Sequence, residues 1–134
     1  MNAIPIRPFG RRRVWAPTAT EATAFDRLAI QNYGIRQTTL MECAGRSAAQ
    51  VLERIFPRGD VVAFIGTGNN GGDGLVLLRT LRAWGRPVSA ILVGDRDDRE
   101  ELIHGWDVPL LSDEDLLAGG GSVPCEAVGR AEIV

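Results

Sequence analysis

The chain has 134 residues, 45% hydrophobic and 24% charged, with 15 basic and 17 acidic side chains and a net charge of -2. That length fits one domain, and the composition excludes disorder. The charge balance excludes the broad basic field of a nucleic-acid binder. Every basic residue is Arg, which we read as codon usage, and the one dense cluster is Arg11-Arg12-Arg13. Cys43 and Cys125 lack CxxC spacing. They suggest a reducing compartment, with Cys43 filling a helix core. No apolar run approaches the roughly 20 residues of a membrane span. The acid-free, Arg-containing start is like a transit peptide, but Pro5, Pro8 and Gly10 break the helix one needs. The expected compartment is the cytoplasm.

Residues 1–16 read as an extended arm and 17–134 as one partial domain. Thr18 and Glu21 have capping-box spacing, so a helix starts there. Ala22, Phe25, Leu28 and Ala29 form its apolar stripe, and Gly34 ends it. Thr39 and Glu42 predict a second capping box. Leu40, Ala44, Ala48, Val51, Leu52 and Ile55 follow at helical spacing, and Pro57 closes that helix. Arg58-Gly59-Asp60 is a turn whose likeness to an adhesion tripeptide is chance.

Val61 to Ile65 is a continuous apolar run, as expected of a strand buried on both faces. A glycine-rich loop, Gly66 to Gly74, separates it from a helix marked by Leu75, Leu78 and Leu81. Trp84 and Gly85 finish that helix. Pro87 to Val93 is the next strand, so the unit is β-loop-α-β in a parallel sheet. The charge run at 95–101 reads as a solvated loop or helix start. Asp113 to Leu117 suggests a short helix, Gly119 to Gly121 a turn, and Arg130 to Val134 the start of a third strand. The expected fold is therefore α/β with a parallel sheet, cut after the start of its third strand. His104 reads as a surface residue, and Trp15, Trp84 and Trp106 as packing residues.

The loop Gly66-Thr67-Gly68-Asn69-Asn70-Gly71-Gly72-Asp73-Gly74 carries the chemistry. Gly66, Gly68 and Gly71 satisfy G-x-G-x-x-G, where glycines permit close backbone approach and the following helix favours phosphate. Asn69 and Asn70 add amide oxygens that can accept from a ligand or meet a hard cation. Asp73 places a carboxylate in the first helical turn, where the helix dipole stabilises it. The competing reading is that Asn70 and Asp73 merely cap the helix. No G-K-[ST] follows, which excludes a P-loop. Asp95, after the second strand, stands where a dehydrogenase keeps its ribose acid, so that alternative stays open.

The string Gly68-Asn69-Asn70-Gly71-Gly72-Asp73-Gly74-Leu75, with Arg79 and Leu81 after it, resembles the signature of the YjeF N-terminal domain family. Leu40-Met41-Glu42-Cys43-Ala44-Gly45-Arg46 resembles that family's L-M-E-x-A-G segment, in the right order and spacing. The resemblance covers roughly residues 14–134. It implies a Rossmann-like α/β/α fold and NAD(P)H-hydrate epimerase activity. Such an enzyme interconverts the R and S forms of hydrated NADH or NADPH (NADHX, NADPHX), so that a stereospecific dehydratase can restore the cofactor. By the family pattern Asn69, Asn70, Gly71, Gly72 and Asp73 contact the substrate, Asn70 also binds a potassium ion, and the protein is a homodimer. Glu42 is then a capping residue that also lines a subunit contact. Thr67 stands where the family commonly has Pro. The family's further acids, including the main catalytic one, are expected beyond Val134. No nucleic-acid or membrane partner is implied. A non-catalytic ligand- or protein-binding module is the remaining alternative.

Overall fold

The computed structural model describes residues 17–97, 99–112 and 131–133. The arm at 1–16, Trp15, Cys125, the helix expected at 113–117 and the glycine turn at 119–121 lie outside the described residues. By its contacts the chain divides into Met1–Leu40 and Met41–Val134.

In the first unit, α1 spans Ala19–Tyr33 and starts as its sequence predicts. Thr18 N–H donates to Glu21 Oε2 at 2.6 Å, and Glu21 N–H donates to Thr18 Oγ1 at 3.3 Å. Each bond satisfies a backbone donor that a helix end otherwise leaves orphaned. Gly34 ends the helix at φ 65°, a left-handed conformation that suits Gly. Ala22, Phe25 and Ala29 are its half-buried stripe, but Leu28 stays 45% exposed.

Helix α2, Gln37–Ile55, departs from the sequence reading in three ways. It begins two residues before Thr39, whose N–H already donates to Arg36 O at 3.0 Å, so no Thr39–Glu42 box starts it. Its buried residues are Met41, Gly45 and Ala49, one position later than the expected Leu40, Ala44 and Ala48. Close helix approach explains the shift. A Cβ on Gly45 would lie 2.5 Å from Val76 Cβ and 2.6 Å from Asp73 O, so the inward face must be small rather than greasy. Ala44, Val51 and Ile55 are therefore exposed. Cys43 falls on the outer side too, and is exposed rather than a core filler.

The sheet comprises β1 (Asp60–Ile65), β2 (Val88–Leu92), β3 (Leu110–Ser112) and β4 (Ala131–Ile133), in the order β3-β2-β1-β4. All pairings are parallel, and Val61 to Ile65 run in register with Val88 to Leu92. The expected third strand is thus the fourth. Leu110–Ser112 comes before it, and three residues behind Pro109 are too few to show a period of two. Burial on both faces holds for β2, all five of whose residues are buried. It fails at the end of β1, where Phe64 is 52% exposed.

Helix α3, Asn69–Ala83, packs on β1 and β2, and the short helix α4, Arg99–Ile103, packs beside α3. Leu75, Leu78 and Leu81 are fully buried with Val76, Ile65 and Ile91, as the apolar spacing of α3 predicts. Trp84 and Trp106 are about half exposed, so neither is a core residue. His104 is exposed, as expected. Among the described residues no helix is long and apolar enough to cross a membrane.

Two arginines tie this framework together. Arg79 donates to the Glu42 carboxylate and, at 2.6 Å, to Leu102 O, joining α2, α3 and α4. Glu42 is therefore an ion-pair partner rather than a cap. Arg79→Met is expected to cost about 1–3 kcal/mol, as for lost hydrogen bonds to charged groups. A urea-denaturation double-mutant cycle with Glu42→Gln checks it, and a coupling energy near zero would reduce the pair to a surface contact. Arg86, 8% exposed, donates to Phe56 O, Arg58 O and Gly59 O at 2.7–3.1 Å and to Glu53 at 2.8 Å. It thereby pins the Arg58-Gly59-Asp60 turn at the start of β1.

Candidate ligand site at the glycine loop

The sheet order reverses at β1, since β2 and β3 add on one side and β4 on the other. Open α/β sheets bind ligands beyond the carboxyl ends of their strands at such a switch point. The glycine loop leaves β1 there. An open cleft of about 470 Å³ is lined by Phe64, Gly66, Gly68, Asn69, Asn70 and Gly71.

Gly68 is the N-cap of α3 and makes no side-chain cap bond. Its carbonyl instead accepts from Gly71 N at 3.0 Å and Gly72 N at 3.4 Å. Asn69 and Asn70 are the first two helical residues, and both are exposed on the cleft. Asp73 is half-buried in the second turn, so the expected first-turn position is corrected. The helix begins at Asn69, so the N-cap is Gly68. Neither Asn70 nor Asp73 sits there.

Gly71 and Gly72 are buried. A Cβ on Gly71 would collide with Gly66 O and Arg96 Nη1, and one on Gly72 with the Met41 thioether. Their backbones are thus held by close packing beneath the loop, and Gly71 also borders the cleft. The two sequence motifs meet here. Met41 abuts Gly72, Gly45 abuts Asp73 and Val76, and Glu42 pairs with Arg79. Two strings that are separate in sequence form one packing unit under the site.

Sequence reasoning missed two residues. Phe64 at the end of β1 presents an apolar wall to the cleft. Arg96, inside the charge run expected to be solvated, is only 8% exposed. Its Nη1 donates to Gly66 O at 2.7 Å and Gly68 O at 3.0 Å. Asp95 and Asp97 on either side are exposed. Gly94 before them has φ +81°, and a Cβ there would be 3.0 Å from Thr67 Cγ2. The turn after β2 thus presses on the loop and directs Arg96 inward, a relation that no local pattern reveals.

Among the described residues no three His, Cys, Asp or Glu side chains gather to hold a metal ion. The donors at the cleft are amide oxygens, and amide oxygens are ligands for hard cations.

A glycine loop between a central parallel strand and a buried helix, at the point where the sheet order reverses, defines a Rossmann-like α/β protein. The family model described as YjeF-related protein N-terminus matches residues 37–105, and the chain belongs to this family. It is 41% identical over 71 residues to an NAD(P)H-hydrate epimerase of Rhodopirellula baltica, covering 53% of this chain and 29% of that protein. It is 44% identical over 84 residues to the bifunctional NAD(P)H-hydrate repair enzyme Nnr of Salinibacter ruber, covering 60% and 16%. The crystal structure of the yeast protein YNL200c superposes with a TM-score of 0.61 at 33% identity, covering 69% of this chain and 45% of that one. The chain spans less than a third of the length of either curated relative.

Proposed function

We propose that this chain provides the substrate-binding loop of an isomerase that interconverts the R and S forms of hydrated NADH and NADPH. One observation carries the reading. Asn69, Asn70 and Gly71 of the Asn-Asn-Gly-Gly-Asp string line the open cleft at the switch point of the sheet, with the two amides exposed, while Gly72 is buried and Asp73 half-buried behind them. The names of the relatives support the same chemistry. The epimerised carbon bears both a hydroxyl and the ring nitrogen. Loss of hydroxide leaves a nitrogen-stabilised cation that water attacks from either face. Asn69 and Asn70 orient the hydrate through their amides, Phe64 excludes water from one side, and Asp73 holds the loop's only carboxylate near the ligand.

The proposal includes a potassium ion. Asn70 would give it an amide oxygen, and the ion would supply positive charge beside the substrate's phosphates. Gly66 O and Gly68 O already accept from Arg96, so side-chain amides suit the ion better than these two carbonyls. A homodimer working in the cytoplasm, without nucleic-acid or membrane partners, completes the reading.

The test is to incubate (R)-NADPHX with the chain and potassium and to resolve the two epimers by chromatography. Appearance of the S form above the spontaneous rate supports the isomerase. Binding without interconversion fits a chain that supplies the substrate-binding loop alone, and no binding overturns the reading. Asp73→Asn is expected to weaken hydrate binding about tenfold, the loss of one charge-assisted hydrogen bond. Titration by calorimetry checks it, and an unchanged Kd would take Asp73 out of the ligand site.

A further inference from the structure

We infer that Arg96 is the positioning residue of the site, a buried guanidinium that sets the shape of the ligand loop from behind. The inference rests on the function proposed above, but its first readout does not.

Three observations converge. Arg96 is 8% exposed and lies outside both family-like motifs, in the turn after β2. Its Nη1 bonds two carbonyls of one loop, Gly66 O and Gly68 O, and these flank Thr67. Both glycines that follow are shaped around it, since a Cβ on Gly71 would strike Nη1 and one on Gly72 would lie 3.2 Å from Nη2. A loop of this kind must turn its N–H groups toward an anionic ligand. Its carbonyls must then find donors on the other side, and Arg96 provides them. One nitrogen of the planar guanidinium reaches both acceptors, with little loss of side-chain freedom. The charge lies beneath the N-terminus of α3 and adds to the positive potential that the helix end offers to a phosphate.

Arg86 makes the same kind of contact at the other end of β1, at Phe56, Arg58 and Gly59 rather than at the cleft. It is equally buried and bonds three carbonyls. The pair separates holding the ligand loop from holding the fold.

The experiment compares wild type, Arg96→Met, Arg96→Lys and Arg86→Met. Amide hydrogen exchange at Gly71 and Gly72, whose N–H groups donate to Gly68 O, is measured first, then the Kd for NADPHX. Arg96→Met is expected to speed exchange at these amides about tenfold or more and to raise the Kd by a similar factor, the loss expected when charge-assisted hydrogen bonds are removed. Arg96→Lys, which keeps the charge and can donate to both carbonyls, is expected to recover part of both effects. Arg86→Met is expected to lower the Tm while leaving loop exchange and Kd as in wild type. The inference is overturned if Arg96→Met leaves loop exchange unchanged, or if Arg86→Met loosens the loop as much. Should Arg96→Met fail to fold, Arg96→Lys decides by the same readouts. If wild type binds no hydrate, the proposed function fails, and the exchange data still decide whether Arg96 shapes the loop.

Discussion

Gly71→Ala is expected to destabilise the protein by about 1–3 kcal/mol, toward the upper end of the overpacking range, and to abolish hydrate binding. The new methyl would meet Gly66 O and Arg96 Nη1. Neither atom can move cheaply. One is backbone at the end of the central strand, and the other is hydrogen-bonded and almost fully enclosed. Ala gains roughly 1 kcal/mol over Gly in helix propensity, which offsets only part of the clash. Gly68→Ala is the control, because nothing lies within 4 Å of a Cβ there and its φ of -82° suits any residue. Urea denaturation of both variants checks the prediction. The midpoint should fall for Gly71→Ala alone, with an unchanged slope. Equal midpoints for the two would mean that the loop has slack at Gly71.

The second large effect is expected at Leu78, which α3 buries completely. Truncating a buried Leu removes its transfer free energy and leaves a cavity, together about 2–5 kcal/mol. A domain of this size has only about 5–15 kcal/mol of net stability. Leu78→Ala should therefore place a visible fraction of molecules in the unfolded state at 37 °C. Leu77→Ala, one position round the helix and only partly buried, should cost clearly less. A thermal melt of both checks the order, and equal Tm losses would mean that α3 does not face the sheet as described.

The parts of this fold that were legible in the sequence are those governed by local rules. Thr18 and Glu21 announce α1 because a capping box is a three-residue device. Leu75, Leu78 and Leu81 announce the buried face of α3 because burial there follows hydrophobicity. The same logic fails on α2. Its inward face is chosen by how near another helix comes, and Gly45 and Ala49 carry no hydrophobic signal. β3 is hidden because three residues show no period. In the site, Asn69 and Asn70 fall on the cleft as the motif implies, whereas Arg96 could not be read at all. Its neighbours Asp95, Asp97 and Asp98 make it look solvated. Only the turn at Gly94, which brings it against Thr67 and the loop, reveals its inward course.

The sheet order also favours one sequence of assembly. β1 pairs on one side with β2, which follows after a single helix, and on the other with β4, which arrives after two further elements and a longer stretch of chain. Parallel neighbours need a crossover before they can meet, and distant pairings carry the larger closure entropy. The β1-α3-β2 unit can therefore close first on a growing polypeptide. Once residue 96 has been made, every atom that shapes the glycine loop is already in the chain. The ligand loop is then expected to form early, before the strand that completes the other side of its crevice.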